Sequence, residues 1–168
     1  ECTKEFLVVQ RFRNFLSAMG LDRDAEGCNA LHLHTLSQCA FMLPYAEEVC
    51  HTLARSHKLY LVTNAVASVQ RGRLAKSPIV PDITAAFISE EAGAAKPSAA
   101  YFDYVFARID GITRENCLVI GDSISSDIRG ANNYGLPCCW YNPRHTPRPD
   151  GLRIDYEIDD LRALCDIV

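Results

Sequence analysis

The chain has 168 residues, of which 48% are hydrophobic, 9% aromatic and 23% charged, a composition that excludes a disordered or fibrous protein. It carries 17 Lys and Arg against 21 Asp and Glu, a formal net charge of -4 with no basic block, so we expect no nucleic-acid partner. No run reaches the roughly 20 apolar residues of a membrane helix, and residues 1–4 do not resemble a signal peptide, so we expect a cytoplasmic protein with no membrane partner.

The eight cysteines and five histidines predict neither a disulfide framework nor a metal centre. The cysteines include no C-x-x-C pair and most lie in apolar runs, which is typical of reduced thiols in a core. His32 and His34 are two residues apart and would point to different sides of a helix. His51 and His57 flank the end of a later helix.

The chain before residue 56 is predicted to be helical, with a first helix that stops at Gly20 and a third that begins near Pro44. The apolar positions at helical spacing are Phe6, Val9, Phe12, Phe15, Leu16 and Met19 in the first helix, Leu31, Leu33, Leu36 and Ala40 in the second, and Val49, Leu53 and Ala54 in the third. No strand is predicted before residue 58.

From residue 59 onward, short apolar runs alternate with helical stretches. Residues 59–62 are apolar throughout and predict a strand buried on both faces of a parallel sheet, ending at Thr63 and Asn64. The other predicted strands are residues 86–88, 117–120, 138–141 and 156–158, and the helices between them include residues 98–108 and 126–134. This alternation predicts an α/β sheet with right-handed crossovers. Three prolines predict a surface loop over residues 142–151.

Polar side chains follow several of these strands, where ligands bind in open α/β sheets. Thr63 and Asn64 end the first strand, although a hydroxyl and an amide there also fit an ordinary turn. Lys96 precedes Pro97, which restricts the lysine backbone to extended conformations. The alternative interpretation is that Lys96 is an ordinary exposed surface lysine.

The richest segment, residues 121–131, follows the most apolar strand. Asp122 and Asp127 are five residues apart and could hold a hard cation such as Mg²⁺ together with waters and a substrate phosphate. Alternatively, Ser126 or Asp127 caps the following helix while Asp122 binds turn amides. A hydroxyl, a lysine and a carboxylate at one edge of a sheet are what phosphoryl transfer requires.

With these motifs the sequence resembles the haloacid dehalogenase-like (HAD) hydrolase superfamily. Residues 59–64 are similar to its second motif, Lys96 and Pro97 to its third, and residues 121–127 to its fourth. The resemblance to its pyrimidine 5'-nucleotidase (YjjG-like) branch extends over the whole chain, through residues 89–93, 127–135, 139–143 and 155–158. It implies a Rossmann-like parallel-sheet core of the HAD type over residues 44–168 and part of a helical cap over residues 1–43.

The resemblance also implies roles for individual residues. Thr63 would hydrogen-bond the transferring phosphoryl group, Asn64 would line the phosphate pocket, and Lys96 would neutralise the phosphoryl group and the nucleophile. Asp122 would bind Mg²⁺, with Asp127 as a second carboxylate around the metal.

One family motif is missing from the sequence. An Asp-x-Asp-x-Thr segment after an apolar strand supplies the family's nucleophile, and the only early D-x-D here, Asp22 to Asp24, follows the helix stop at Gly20. The chain therefore resembles a family member that lacks its N-terminal portion, and we expect its core to need completion by another segment or by self-association. Ala65 stands where the family usually has glycine, which would be unfavourable only at a positive φ.

The expected function is Mg²⁺-dependent phosphomonoester hydrolysis through an aspartyl phosphate whose nucleophile is absent from this sequence. The expected partner is a small phosphorylated substrate, a nucleoside 5'-monophosphate, with sugar phosphates as the alternative. A second alternative is a catalytically silent phosphate- or nucleotide-binding remnant. Dehalogenation is disfavoured because residues 121–123 resemble the phosphatase version of the fourth motif.

Overall fold

The computed structural model describes residues 4–168, with side chains from Phe6 onward. Residues 4–40 together with 68–76 form one compact unit, and residues 41–67 together with 77–168 form a second. The seven cysteines in the described part of the chain are free, and Cys2 lies outside it. Within residues 4–168, none of the helices combines the length and the hydropathy that crossing a membrane would require.

The first unit contains two packed helices, α1 (Lys4–Ala18) and α2 (Ala25–Ser37). Gly20 ends α1 in the left-handed region, with φ at 65°, as predicted. Leu16 is buried, whereas Phe15 and Met19 are 57% and 61% exposed, so only part of the predicted apolar stripe is covered. The second helix is shorter than predicted, because it ends before Ala40.

From residue 41 onward the chain alternates helices and strands, and the short helices α4 and α5 were not predicted. The elements in chain order are α3 (Ala46–Leu53), β1 (Leu59–Thr63), α4 (Ala67–Leu74), β2 (Ile83–Ile88), α5 (Ser89–Ala92), α6 (Ala99–Phe106), β3 (Val119–Gly121), α7 (Arg129–Tyr134), β4 (Cys138–Tyr141) and β5 (Tyr156–Ile158). All of them except α4, which belongs to the first unit from residue 68 onward, lie in the second unit. Short 3₁₀ helices cover Val80–Asp82 and Leu161–Asp166, and a π-helical turn covers Ile124–Ile128.

All strand pairs are parallel, which confirms the predicted α/β class. They form two separate sheets in the described chain, with β1 paired to β2 and with β3, β4 and β5 in that order. The bounds of β4 and β5 are those predicted, and β2 begins earlier, at Ile83. β3 begins at Val119, two residues later than predicted. Its pairing with the β4 side starts there, where the Val119 amide donates to the Pro137 carbonyl at 3.0 Å.

Two apolar clusters cover the two faces of this unit. On one face Tyr101, Phe102 and Val105 of α6 pack with Ile128 and Trp140. The other cluster is formed by Val49, Leu53, Cys139, Ile158 and Leu164. Helices on both faces are what a parallel sheet requires to bury its apolar strands.

An apolar groove of about 890 Å³ lies between β1 and β3. Residues 59–62 line one side, residues 117–120 line the other, and Val49 of α3 and Val105 of α6 contribute from the two faces. Because of this groove, β1 is only half-buried along its whole length and Ile120 is 38% exposed. The predicted burial of the first strand on both faces is therefore incomplete.

Candidate active site

The buried centre of the candidate site is an ion pair between Lys96 and Asp127. The Lys96 Nζ donates to Asp127 Oδ1 at 2.7 Å and to the Val62 carbonyl oxygen, at the end of β1, at 2.6 Å. Lys96 is 8% exposed and Asp127 is 7% exposed. A buried ammonium without a partner would be strongly destabilising, so the carboxylate and the carbonyl are what make this burial possible. The alternative of an exposed surface lysine is thereby excluded.

Asp127 is held in place by the turn that precedes it as well as by the lysine. Its Oδ2 accepts a hydrogen bond from the Ser123 amide at 3.1 Å, and Ser123 caps the π-helical turn through the Ser126 amide. The carboxylate lies directly against Gly121, where an added Cβ would be 2.3 Å from Asp127 Oδ2. Glycine at this position therefore makes room for the carboxylate, a requirement that the sequence pattern did not reveal.

Asp122 lies at the carboxyl end of β3 and, unlike Asp127, is exposed. Its backbone carbonyl accepts a hydrogen bond from Trp140 Nε1 at 3.1 Å, which ties this residue to β4. Among the described residues no group of three or more His, Cys, Asp or Glu side chains forms a ready cation site. An exposed carboxylate at the end of a strand fits Mg²⁺, which takes one or two carboxylates and fills its other positions with water and phosphate.

Thr63 ends β1, and its backbone is fixed by a tyrosine that sequence analysis missed. The Thr63 amide donates to the Tyr101 hydroxyl at 3.0 Å, and this hydroxyl donates to the Phe87 carbonyl at 2.6 Å. Burial raises the pKa of Tyr101 to about 12. Tyr101 is one of two tyrosines in the first helix after Lys96, and its place in the first turn of that helix is the signal that could have drawn attention to it.

The side-chain amide of Asn64 forms two hydrogen bonds with the backbone of Lys96. Its Nδ2 donates to the Lys96 carbonyl at 2.8 Å, and its Oδ1 accepts from the Lys96 amide at 3.0 Å. The predicted role of Asn64 in lining a phosphate pocket stays a prediction. The observed contacts join the end of β1 to the segment that carries the lysine.

The turn after Asn64 is tied to residues 89–93. The Ser89 hydroxyl accepts from the Ala65 amide at 3.2 Å, and Glu90 Oε2 accepts from the Ala67 amide at 2.7 Å. Tyr45 and His145 are the described non-glycine residues with positive φ, so alanine at position 65 causes no backbone strain. Ser89 and Glu90 therefore hold the turn in place through its backbone amides.

The carboxylates of the early D-x-D segment belong to the first unit. Asp22 and Asp24 lie between α1 and α2, and no strand precedes them in the described chain. This placement agrees with their rejection as the family's first motif.

Comparison with known proteins adds independent findings. A model of the HAD-hydrolase-like family matches residues 93–164. Pyrimidine 5'-nucleotidase PynA of Streptococcus pneumoniae is 34% identical over 165 residues, which cover 98% of this chain and 70% of the relative. Pyrimidine 5'-nucleotidase YjjG of Escherichia coli is 29% identical over 136 residues, which cover 81% of this chain and 60% of the relative. The crystal structure of HAD-hydrolase YfnB of Bacillus subtilis, bound to magnesium, matches with a TM-score of 0.93 and 34% identity, covering 98% of this chain and 72% of that one. These similarities confirm the resemblance that the motifs predict.

Proposed function

This chain belongs to the HAD-like hydrolase family, and from that premise we propose that it is a Mg²⁺-dependent phosphomonoester hydrolase acting on nucleoside 5'-monophosphates. The observation that carries the proposal is the buried Lys96 ammonium between the ends of β1 and the turn after β3. Relatives that are pyrimidine 5'-nucleotidases favour a pyrimidine base in the substrate.

Lys96 and Thr63 would bind the transferring phosphoryl group. An ammonium has three N–H donors, and Lys96 uses two of them on Val62 and Asp127, so the third is left for a phosphoryl oxygen. The Thr63 hydroxyl is at the end of the neighbouring strand and would donate to a second oxygen. Donors held in place before the reaction stabilise the charge that develops on these oxygens.

Asp122 would hold Mg²⁺, with Asp127 as the second carboxylate. When bound, the ion would neutralise negative charge on the phosphoryl group. Asp122 is the exposed carboxylate and is therefore the direct ligand in this proposal, whereas Asp127 is committed to Lys96 and Ser123.

The groove between β1 and β3 would receive one further parallel strand, whose carboxyl end supplies the nucleophilic aspartate. The groove is apolar and is covered from both faces by α3 and α6, as a fully buried strand requires. An inserted strand would join the two sheets, and its end would lie between Thr63 and Asp122. An aspartate carboxylate there would attack phosphorus and expel the nucleoside, which leaves an aspartyl phosphate. Water would then hydrolyse the aspartyl phosphate to inorganic phosphate and the free aspartate.

Phosphate release tests the proposed activity. We expect the protein, once it is completed by the strand that carries the nucleophile, to hydrolyse UMP and CMP with Mg²⁺. Lys96→Ala should lower this activity by at least about 100-fold, since the positive charge that faces the phosphoryl group is lost. Lys76→Ala, at an exposed lysine of the first unit, is the matched control and should retain activity. Faster turnover of sugar phosphates than of any nucleotide would contradict the substrate class. Thermal stabilisation by phosphate without any turnover would instead support a silent binding protein.

The intact mass of the protein isolated from cells tests the proposed strand. A mass above that of 168 residues, with an Asp-x-Asp-x-Thr segment in the additional sequence, or a second chain that copurifies, supports it. Mg²⁺-dependent turnover by the 168 residues alone would contradict it.

A further inference from the structure

We infer that Asn64 is a positioning residue for Lys96, an inference that rests on the proposed function of the lysine. Two of the three hydrogen bonds that Lys96 forms with residues 62–64 involve the Asn64 side chain, and they fix the lysine's peptide groups. The third bond fixes the ammonium to Val62. The lysine is therefore held at both its backbone and its tip by one short stretch at the end of β1.

The chemistry of the amide explains why asparagine suits this position. The Lys96 backbone presents one donor and one acceptor to Asn64, and a carboxamide presents one of each in return. Aspartate would keep the bond from the Lys96 amide but would turn an oxygen toward the Lys96 carbonyl. Leucine would fill similar space and make neither bond.

The position of the lysine matters because its burial leaves the ammonium few alternative partners. Lys96 is 8% exposed, so its tip is confined between Val62 and Asp127. A backbone shift at Lys96 would be passed along the side chain to the Nζ that binds the phosphoryl group. Displacements of about 1 Å in catalytic geometry commonly cost about 100-fold in rate.

A double-mutant cycle between Asn64→Ala and Lys96→Ala tests this inference by kinetics. We expect Asn64→Ala to lower kcat by about 10- to 100-fold with little change in KM. In the Lys96→Ala background the same substitution should change kcat by less than about 2-fold, because its effect acts through the lysine. A cost that persists undiminished in the Lys96→Ala background would overturn the inference and assign Asn64 a direct contact with phosphate or a purely structural role.

Asn133→Ala is the matched control for the same segment. The Asn133 side chain donates to the carbonyl of the next residue, Pro97, at 3.1 Å, and Asn133 is exposed. Its loss removes one asparagine bond near Lys96 without touching the lysine's own peptide groups, and kcat should stay within about 2-fold. A decrease equal to that of Asn64→Ala would contradict a specific role for Asn64.

Amide hydrogen exchange at Lys96 separates a failure of this inference from a failure of the proposed function. Protection of this amide should be lost in Asn64→Ala and largely kept in Asn64→Asp, which retains the acceptor. If the wild-type protein has no phosphatase activity, the same cycle is measured on the dissociation constant of inorganic phosphate. Unchanged exchange at Lys96 in Asn64→Ala would overturn the inference whatever the activity.

Discussion

Two regions of the second unit differ in how their side chains are satisfied. One is the rim, which we define as the polar residues Asn64, Lys96, Tyr101 and Asp127 near the carboxyl ends of β1 and β3, and the other is the apolar groove between these two strands. At the rim, the side chains of Asn64, Lys96, Tyr101 and Asp127 are each engaged by backbone groups or by one another. In the groove, β1 and β3 present apolar side chains to an open volume of about 890 Å³. The polar machinery is therefore held by the described chain itself, whereas the apolar interior requires something to cover it.

The largest expected effect is at the rim, in Asp127→Ala. This change leaves the Lys96 ammonium buried without its carboxylate, so we expect the free energy of unfolding to fall by about 3–5 kcal/mol. Urea denaturation measures it. Asp159→Ala, which removes an exposed partner of His145 at 3.6 Å, is the control and should cost less than about 1 kcal/mol. Equal effects of the two changes would mean that the rim pair is not buried in solution.

Gly121→Ala should have the second-largest effect. We expect it to lower the free energy of unfolding by about 3 kcal/mol, the upper end of the range for overpacking a core. The new Cβ would lie 2.3 to 2.5 Å from three atoms of the Asp127 side chain, which must then move away from Lys96. Chemical denaturation of the single and double variants checks the cause. The cost should largely disappear when Asp127 is already alanine, and strict additivity would contradict the clash.

Ile120→Lys sharpens the other side of the comparison. Ile120 lines the groove and is 38% exposed when the groove is open. If a strand fills the groove in the native protein, a lysine there should lower the free energy of unfolding by about 2 kcal/mol, through lost apolar burial. Val80→Lys is the control, because Val80 is a similarly exposed residue of a 3₁₀ helix. It should change the free energy of unfolding by no more than about 0.5 kcal/mol. A groove that is open in solution would make both changes equally mild.

Tyr101→Phe has the smallest expected effect, about 1 kcal/mol at neutral pH, from loss of the hydroxyl between Thr63 and Phe87. Burial raises the pKa of Tyr101 in the folded state to about 12, above the ordinary tyrosine pKa of about 10. The folded state therefore binds the proton more tightly, and the stability linked to it is complete below pH 10 and lost as pH rises toward 12. Denaturation from pH 9 to 12 should be less steeply pH-dependent in Tyr101→Phe. An unchanged pH dependence would contradict the raised pKa.

The sequence predicted the strands of the second unit well because their apolar runs are short and bounded by polar or turn residues. Thr63, Lys96 and the residues after β3 could be selected because ligands bind beyond the carboxyl ends of parallel strands. Two separate sheets were not predicted, since an apolar run indicates what a strand would bury and not which neighbours are present. The burial of β1 is incomplete for the same reason.

The supporting contacts of the site were beyond sequence reasoning. Asn64 and Lys96 are 32 residues apart. A hydrogen bond from a side chain to such a distant backbone group produces no periodic pattern in the sequence. Gly121 looks like an ordinary turn glycine until the Asp127 carboxylate is found against it. Tyr101 looks like a core residue, and only the Thr63 and Phe87 backbone groups reveal why its hydroxyl is there.

The bond between Trp140 and Asp122 gives this protein a built-in optical reporter. Trp140 is the sole tryptophan of the sequence and is 3% exposed, and its indole N–H donates to the Asp122 carbonyl. Intrinsic fluorescence excited at the indole therefore comes from one position, one hydrogen bond away from the proposed magnesium ligand. Titration with a divalent cation can be followed on that signal without a label and without a substrate.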